Sequence, residues 1–121
     1  MRTFRQAVLL SLVSGLVFFW TGRVFAEPVT VEGEIVDLAC YLGHGKRGAG
    51  HASCAKMCAK GGKPIGLLTE NGELYLLIDD HANSEPYEEA KKLAGENAVV
   101  KGEKHTKHGM SALTVLEARS R

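Results

Sequence analysis

Apolar and polar residues alternate from Val29 to Leu38, the two-residue period of a strand with one buried face. Gly33 interrupts the alternation and predicts a bulge or the close approach of another backbone. Cys40 falls just past the end of this first strand. From Gly43 to Gly50 the pattern dissolves into glycines with Lys46 and Arg47, which predicts a loop. His51 to Lys60 is rich in Ala, Lys and Met and ends at Gly61-Gly62, the signature of a short helix with a glycine stop.

Pro64 to Leu68 and Leu74 to Ile78 read as the second and third strands, joined by a hairpin through Asn71-Gly72. Ser84 is placed to cap a helix on which Tyr87, Ala90, Leu93 and Ala94 share one face. Glu88 and Lys92 are spaced to pair on another face, and Gly95 is the expected stop. Ala98 to Glu103 and Ser111 to Ala118 are the last two strands, with a turn over His105 to Gly109. The expected fold is therefore mainly β with two short helices, in the order β-β-β-α-β-β. That order fits a five-stranded OB-like barrel, with the His51–Lys60 helix inserted between strands 1 and 2.

The first 26 residues have a different pattern. A short basic start with Arg2 and Arg5 precedes an almost wholly apolar run from Ala7 to Trp20, followed by Val24-Phe-Ala26. Small residues one and three places before Glu27 suit signal peptidase, so residues 1–26 are expected to be a cleaved secretory signal and 27–121 a single domain. The apolar run has 14 residues, short of the roughly 20 that a spanning helix needs. No cysteine follows it to accept a lipid, so no membrane attachment is expected after cleavage. The expected location is periplasmic or secreted.

Setting that segment aside changes the composition. All four Phe and the one Trp go with it, so the core must rest on Val, Ile, Leu, Ala and Tyr. Loss of Arg2, Arg5 and Arg23 leaves 12 Lys and Arg against 14 Asp and Glu, a net charge of −2. A near-neutral domain without a basic patch is a poor binder of nucleic acid, and none is expected.

The chemistry is concentrated between Cys40 and Cys58. All three cysteines lie within these 19 residues, together with His44 and His51. On a helix, His51, Cys54 and Cys58 are spaced three and four apart and share a face. Cys40 can be folded back to them by the glycine loop. Cys40, His51, Cys54 and Cys58 make a tetrahedral set suited to zinc, and their softness suits copper(I) as well. His44 is a spare ligand. Two other chemistries fit the same residues. A structural disulfide from Cys40 to Cys54 or Cys58 would staple a protein-binding module and leave one thiol over. Cys54 and Cys58 could instead be the active pair of a thiol redox protein, although Cys-x-x-x-Cys is less specific than Cys-x-x-Cys.

Elsewhere the signals are weaker. His105, His108 and Met110 could bind copper, but a polar hairpin turn explains them as well. His81 beside Asp79 and Asp80 reads as a loop residue. There is no Gly-x-Ser-x-Gly, His-Glu-x-x-His, phosphate-binding glycine loop or Cys-x-x-Cys-His in the chain. A Cys–His nucleophilic pair is formally available, yet no substrate pocket or oxyanion site can be identified. The expectation is a binding protein rather than an enzyme.

Three segments together carry a resemblance: Gly33-Glu-Ile-Val-Asp-Leu-Ala-Cys40, His51-x-x-Cys54-x-x-x-Cys58, and Gly62-x-Pro64-x-Gly66-Leu-Leu. The chain resembles a group of small exported bacterial proteins with OB-like domains, most of them uncharacterised, over nearly all of residues 27–121. The resemblance implies export, the barrel fold, and a metal or redox role for Cys40, His51, Cys54 and Cys58. The expected function is a periplasmic copper- or zinc-binding carrier or accessory protein. Its expected partner is an exported metalloenzyme or another periplasmic protein.

Overall fold

The computed structural model describes residues 27–121, so the expected export signal at 1–26 lies outside the described residues. Strand β1 (Val29–Asp37) leads directly into helix α1 (Leu38–His44). A single 3-10 turn (Ala49–His51) then opens helix α2 (Ala52–Lys60). Strands β2 (Ile65–Leu68) and β3 (Leu74–Ile78), helix α3 (Glu85–Lys92), and strands β4 (Asn97–Lys107) and β5 (Met110–Ser120) follow. The strands close into a barrel in the order β1-β2-β3-β5-β4. Every pairing is antiparallel except β3 with β5, where Leu77 lies opposite Leu113 in parallel register. This is the expected OB-like barrel, with helical structure inserted between β1 and β2. No helix among the described residues is long and apolar enough to cross a membrane.

One strand makes the closure possible. Val29 to Glu34 pair with β4, whereas Glu34 to Asp37 pair with β2, so β1 passes from one side of the barrel to the other at Glu34. Gly33 stands at that crossing. A Cβ there would overlap the Leu68 carbonyl, so only glycine lets the β2 backbone come so close. The sequence offered a bulge or a close approach at Gly33; the approach is what occurs, and the β1–β4 register runs through it unbroken. The register shift lies instead between Lys101 and Gly102, where β4 bends against β5.

Ile35, Ile65, Leu67, Leu77, Val100, Leu113 and Val115 fill the barrel, with Tyr75 beside them. Ala55 and Ala59 of α2 and Ala90 of α3, with Ala94 just beyond it, are buried against this core. Their small side chains let both helices lie close to the barrel and to each other. Burial of these apolar surfaces, at about 25 cal/mol per Å², is the main force that holds the domain together.

Four features differ from the sequence reading. There are three helices, not two, because Asp37 ends β1 and at once caps α1. Its Oδ1 accepts the N–H groups of Ala39 (3.0 Å) and Cys40 (3.4 Å). Gly45, at φ +66°, stops α1 by donating to the Tyr41 carbonyl at 2.8 Å. The β4–β5 turn is also tighter than expected: only His108 and Gly109 lie between the strands, both at positive φ. Ser84 occupies the cap position of α3, but its hydroxyl donates to Asp79 (3.1 Å) while Asn83 accepts the Glu85 N–H (3.2 Å). Glu88 pairs with Lys91 rather than with Lys92, whose partner is Glu89.

Candidate metal centre

The C-terminal end of β1, α1 and the start of α2 meet on one side of the barrel. Asp37 is only 1% exposed. Because it caps α1, its carboxylate is fixed beside the first turn, where Cys40 sits. His51 arrives from the other side, as the residue that opens α2. One ligand atom from each of Asp37, Cys40 and His51 lies within 4.8 Å of the other two. This is the one three-residue cluster of metal-ligating side chains among the described residues.

Two of these three residues carry buried polar atoms without a hydrogen-bond partner among the described residues: Oδ2 of Asp37 and Nε2 of His51. A buried carboxylate oxygen and a buried ring nitrogen each cost free energy if left unpaired. Both are atoms of kinds that can coordinate a cation.

Cys58, in α2, completes the surroundings of Asp37. The Asp37 carboxylate acts on the Cys58 thiol as well as on that of Cys40, although Cys58 stands outside the three-residue cluster. Hydrogen bonding to Asp37, reinforced by desolvation and by the carboxylate charge, pushes the Cys40 thiol up to about 11. The same causes raise Cys58. Asp37 itself feels opposing influences. Desolvation disfavours its charge, but the two thiols and the N–H groups of Cys40 and Ala39 outweigh it, and the carboxyl titrates below its ordinary value of 3.8. At neutral pH Asp37 is thus an anionic carboxylate, while the thiols of Cys40 and Cys58 keep their protons.

The surrounding structure holds these groups in place. Buried Glu34 accepts the Gly48 N–H at 2.8 Å and pairs with Arg47 at 3.5 Å, which fastens the glycine loop to β1. Lys56 of α2 pairs with Glu96 at 2.5 Å, just beyond α3. Gly95, at φ +83°, packs directly on Ala52, the residue after His51.

Of the four ligands expected from sequence, Cys40 and His51 are brought together; Cys58 feels the Asp37 carboxylate but is not one of the three clustered residues. Cys54 is exposed and lies outside the three-residue cluster, although its charge is felt at Cys58. All three cysteines carry free thiols. Asp37 was not among the expected ligands. Its signal was the Asp-x-x-Cys spacing at the end of a strand, which puts a capping carboxylate beside a first-turn thiol. His44 is exposed at the far end of α1. His105 bonds Thr114 Oγ1 at 2.9 Å, while His81, His108 and Met110 are exposed and take no part in a ligand cluster.

No protein-family model matches this chain, and neither the curated proteins nor the solved structures contain a match.

Proposed function

We propose that this protein is an exported metal-binding carrier or accessory protein that holds one soft metal ion through Asp37, Cys40, His51 and Cys58. The observation that carries the reading is the convergence of Asp37, Cys40 and His51 within 4.8 Å, two of them with buried unpaired atoms. Bonds of roughly 2.0–2.3 Å in a tetrahedral zinc site separate the ligands by roughly 3.5 Å, so the ligand atoms of Asp37, Cys40 and His51, within 4.8 Å of one another, are already near the spacing that a closed site needs. One carboxylate, one imidazole and two thiolates match zinc. Copper(I) prefers the sulfur and nitrogen donors and gains less from Asp37, so zinc is the better fit.

Two features favour carriage over a structural metal. The barrel has its own apolar core, built from residues outside the proposed ligand set. Cys40, His51 and Cys58 are only partly buried, which leaves a route for loading and handover. The N-terminal pattern of residues 1–26 supports export to the periplasm or beyond, where another exported protein, such as a metalloenzyme, is the natural recipient. The net charge of −2 over residues 27–121 favours neither nucleic acid nor an anionic membrane as partner.

Competition against a chromophoric zinc chelator tests this. Reduced protein is expected to take up one zinc per chain, and His51→Ala to weaken uptake at least tenfold. Absence of zinc uptake, or uptake indifferent to His51, contradicts the proposal.

A further inference from the structure

Strand β4 runs from Asn97 to Lys107, but β1 pairs with it only as far as Gly102, opposite Val29. Pro28 precedes Val29 and, having no N–H, cannot carry that ladder further. On its other side β4 stays paired with β5 through Lys107. The backbone from Glu103 to Lys107 therefore has one edge in the sheet and one edge free. Among the described residues, no turn or loop hydrogen-bonds to it. Lys104 to Lys107 are exposed. An open edge of this kind is a template for one more strand.

We propose that this edge joins a second copy of the chain, β4 to β4, as a symmetric antiparallel pair. The inference is independent of the metal reading. A two-fold axis perpendicular to the sheet keeps each side chain on its own face, and residues opposite each other share a face. A residue can therefore lie opposite only itself or a residue an even number of places away. Of the registers this leaves, the one that uses the whole free segment puts His105 opposite His105, Lys104 opposite Thr106 and Glu103 opposite Lys107. Symmetry repeats the last match, so two opposite-charge pairs form across the join. A slip to the next allowed register in either direction shortens the pairing and loses both. Among the described residues, neither Glu103 nor Lys107 has an ion-pair partner within its own chain. His105 does not obstruct the join: its Nε2 bonds Thr114 Oγ1 at 2.9 Å, on β5, the strand away from the free edge.

The edge is thus self-complementary in backbone and in charge, and a second copy is the occupant that satisfies both. The join is small, so the dimer it makes is weak and depends on concentration.

Analytical ultracentrifugation over a concentration series up to about 1 mM, the regime of a weak association, tests this. The protein is expected to sediment increasingly as a dimer. Lys107→Glu and Glu103→Lys each turn both ion pairs into like-charge pairs, and each is expected to weaken association at least about tenfold. Mixed in equal amounts, the two variants present opposite charges at both positions again, and the mixture is expected to associate as strongly as the unchanged chain. Protein that stays monomeric throughout overturns the proposal, and Lys104 and Lys107 then serve to keep the edge unpaired. A dimer indifferent to both substitutions, or variants that do not recover on mixing, places the join elsewhere and overturns it as well.

Discussion

Asp37 meets Cys40 in two places: its Oδ1 accepts the Cys40 backbone N–H at 3.4 Å, and its carboxylate faces the Cys40 thiol. One side chain therefore starts helix α1 and sets the protonation of a candidate ligand. Folding and chemistry are joined at this residue, and the two roles can be separated by substitution.

Asp37→Asn keeps a side-chain oxygen that can cap the helix but removes the charge. The Cys40 thiol is expected to fall from about 11 towards its ordinary 9.0. Its alkylation at mildly basic pH should speed up by at least about tenfold, because the thiolate is the reactive form. Site-resolved alkylation followed by mass spectrometry measures this, and an unchanged Cys40 rate would show that the carboxylate does not govern the thiol. Asp37→Ala loses the cap as well and should cost about 1 kcal/mol of stability.

The pH dependence of stability has two arms. The folded Asp37 carboxyl titrates below 3.8, so just below that pH the unfolded chain binds more protons. Its contribution is present above 3.8 and is lost as the pH falls. Folded Cys40 keeps its proton up to about 11 against an ordinary 9.0, so its contribution is present below 9.0 and is lost as the pH rises towards 11. Urea midpoints of the metal-free protein should stay level across the neutral range and drop on both sides. In Asp37→Asn both arms should be shallower; an unchanged basic arm would contradict the assigned cause.

The ligands can be ranked by substitution. Cys40→Ser and His51→Ala each remove a donor from the converging cluster and should weaken zinc binding by roughly 10- to 100-fold. Cys58→Ser should do the same, whereas Cys54→Ser and His108→Ala should change affinity by less than about threefold. Zinc competition titrations distinguish the outcomes, and a large loss in Cys54→Ser would restore the four-ligand set read from helical spacing.

Gly95 links the fold to the site. An alanine there would need the left-handed conformation at φ +83° and would place its Cβ 2.6 Å from that of Ala52. Gly95→Ala should destabilise the domain by about 2 kcal/mol or more. It should also weaken zinc binding, because Ala52 follows His51. Denaturant unfolding and zinc titration of one preparation test both effects; lost stability with intact affinity would show that α2 does not set His51.

Much of the fold was legible because its signals were local. Alternation in Val29–Asp37, the apolar Leu74–Ile78 and the glycines at 72 and 95 mark elements that depend little on distant partners. Helix α1 escaped because Leu38 continued the strand's alternation, while the feature that breaks it, the Asp37 cap, reads as an ordinary polar position. The outer parts of β4 and β5 escaped for the opposite reason. Lys104 to Lys107 are exposed and carry no apolar pattern, so only pairing with Met110–Leu113 makes them a strand.

The site was legible in kind but not in membership. Cys40 and His51 could be named from residue type and spacing. Asp37 became visible only once β1 and α1 placed its carboxylate beside the thiol. Cys54 shares the helical spacing of His51 and Cys58, but spacing along one helix does not say which side chain faces Cys40.

The most direct test of the metal centre is elemental analysis of protein purified without added metal, with a site-resolved thiol count on the same sample. The account predicts about one zinc or copper per chain, with Cys40 and Cys58 protected from alkylation and Cys54 reactive. No bound metal, with all three thiols modified at the same rate before and after added zinc, would contradict it.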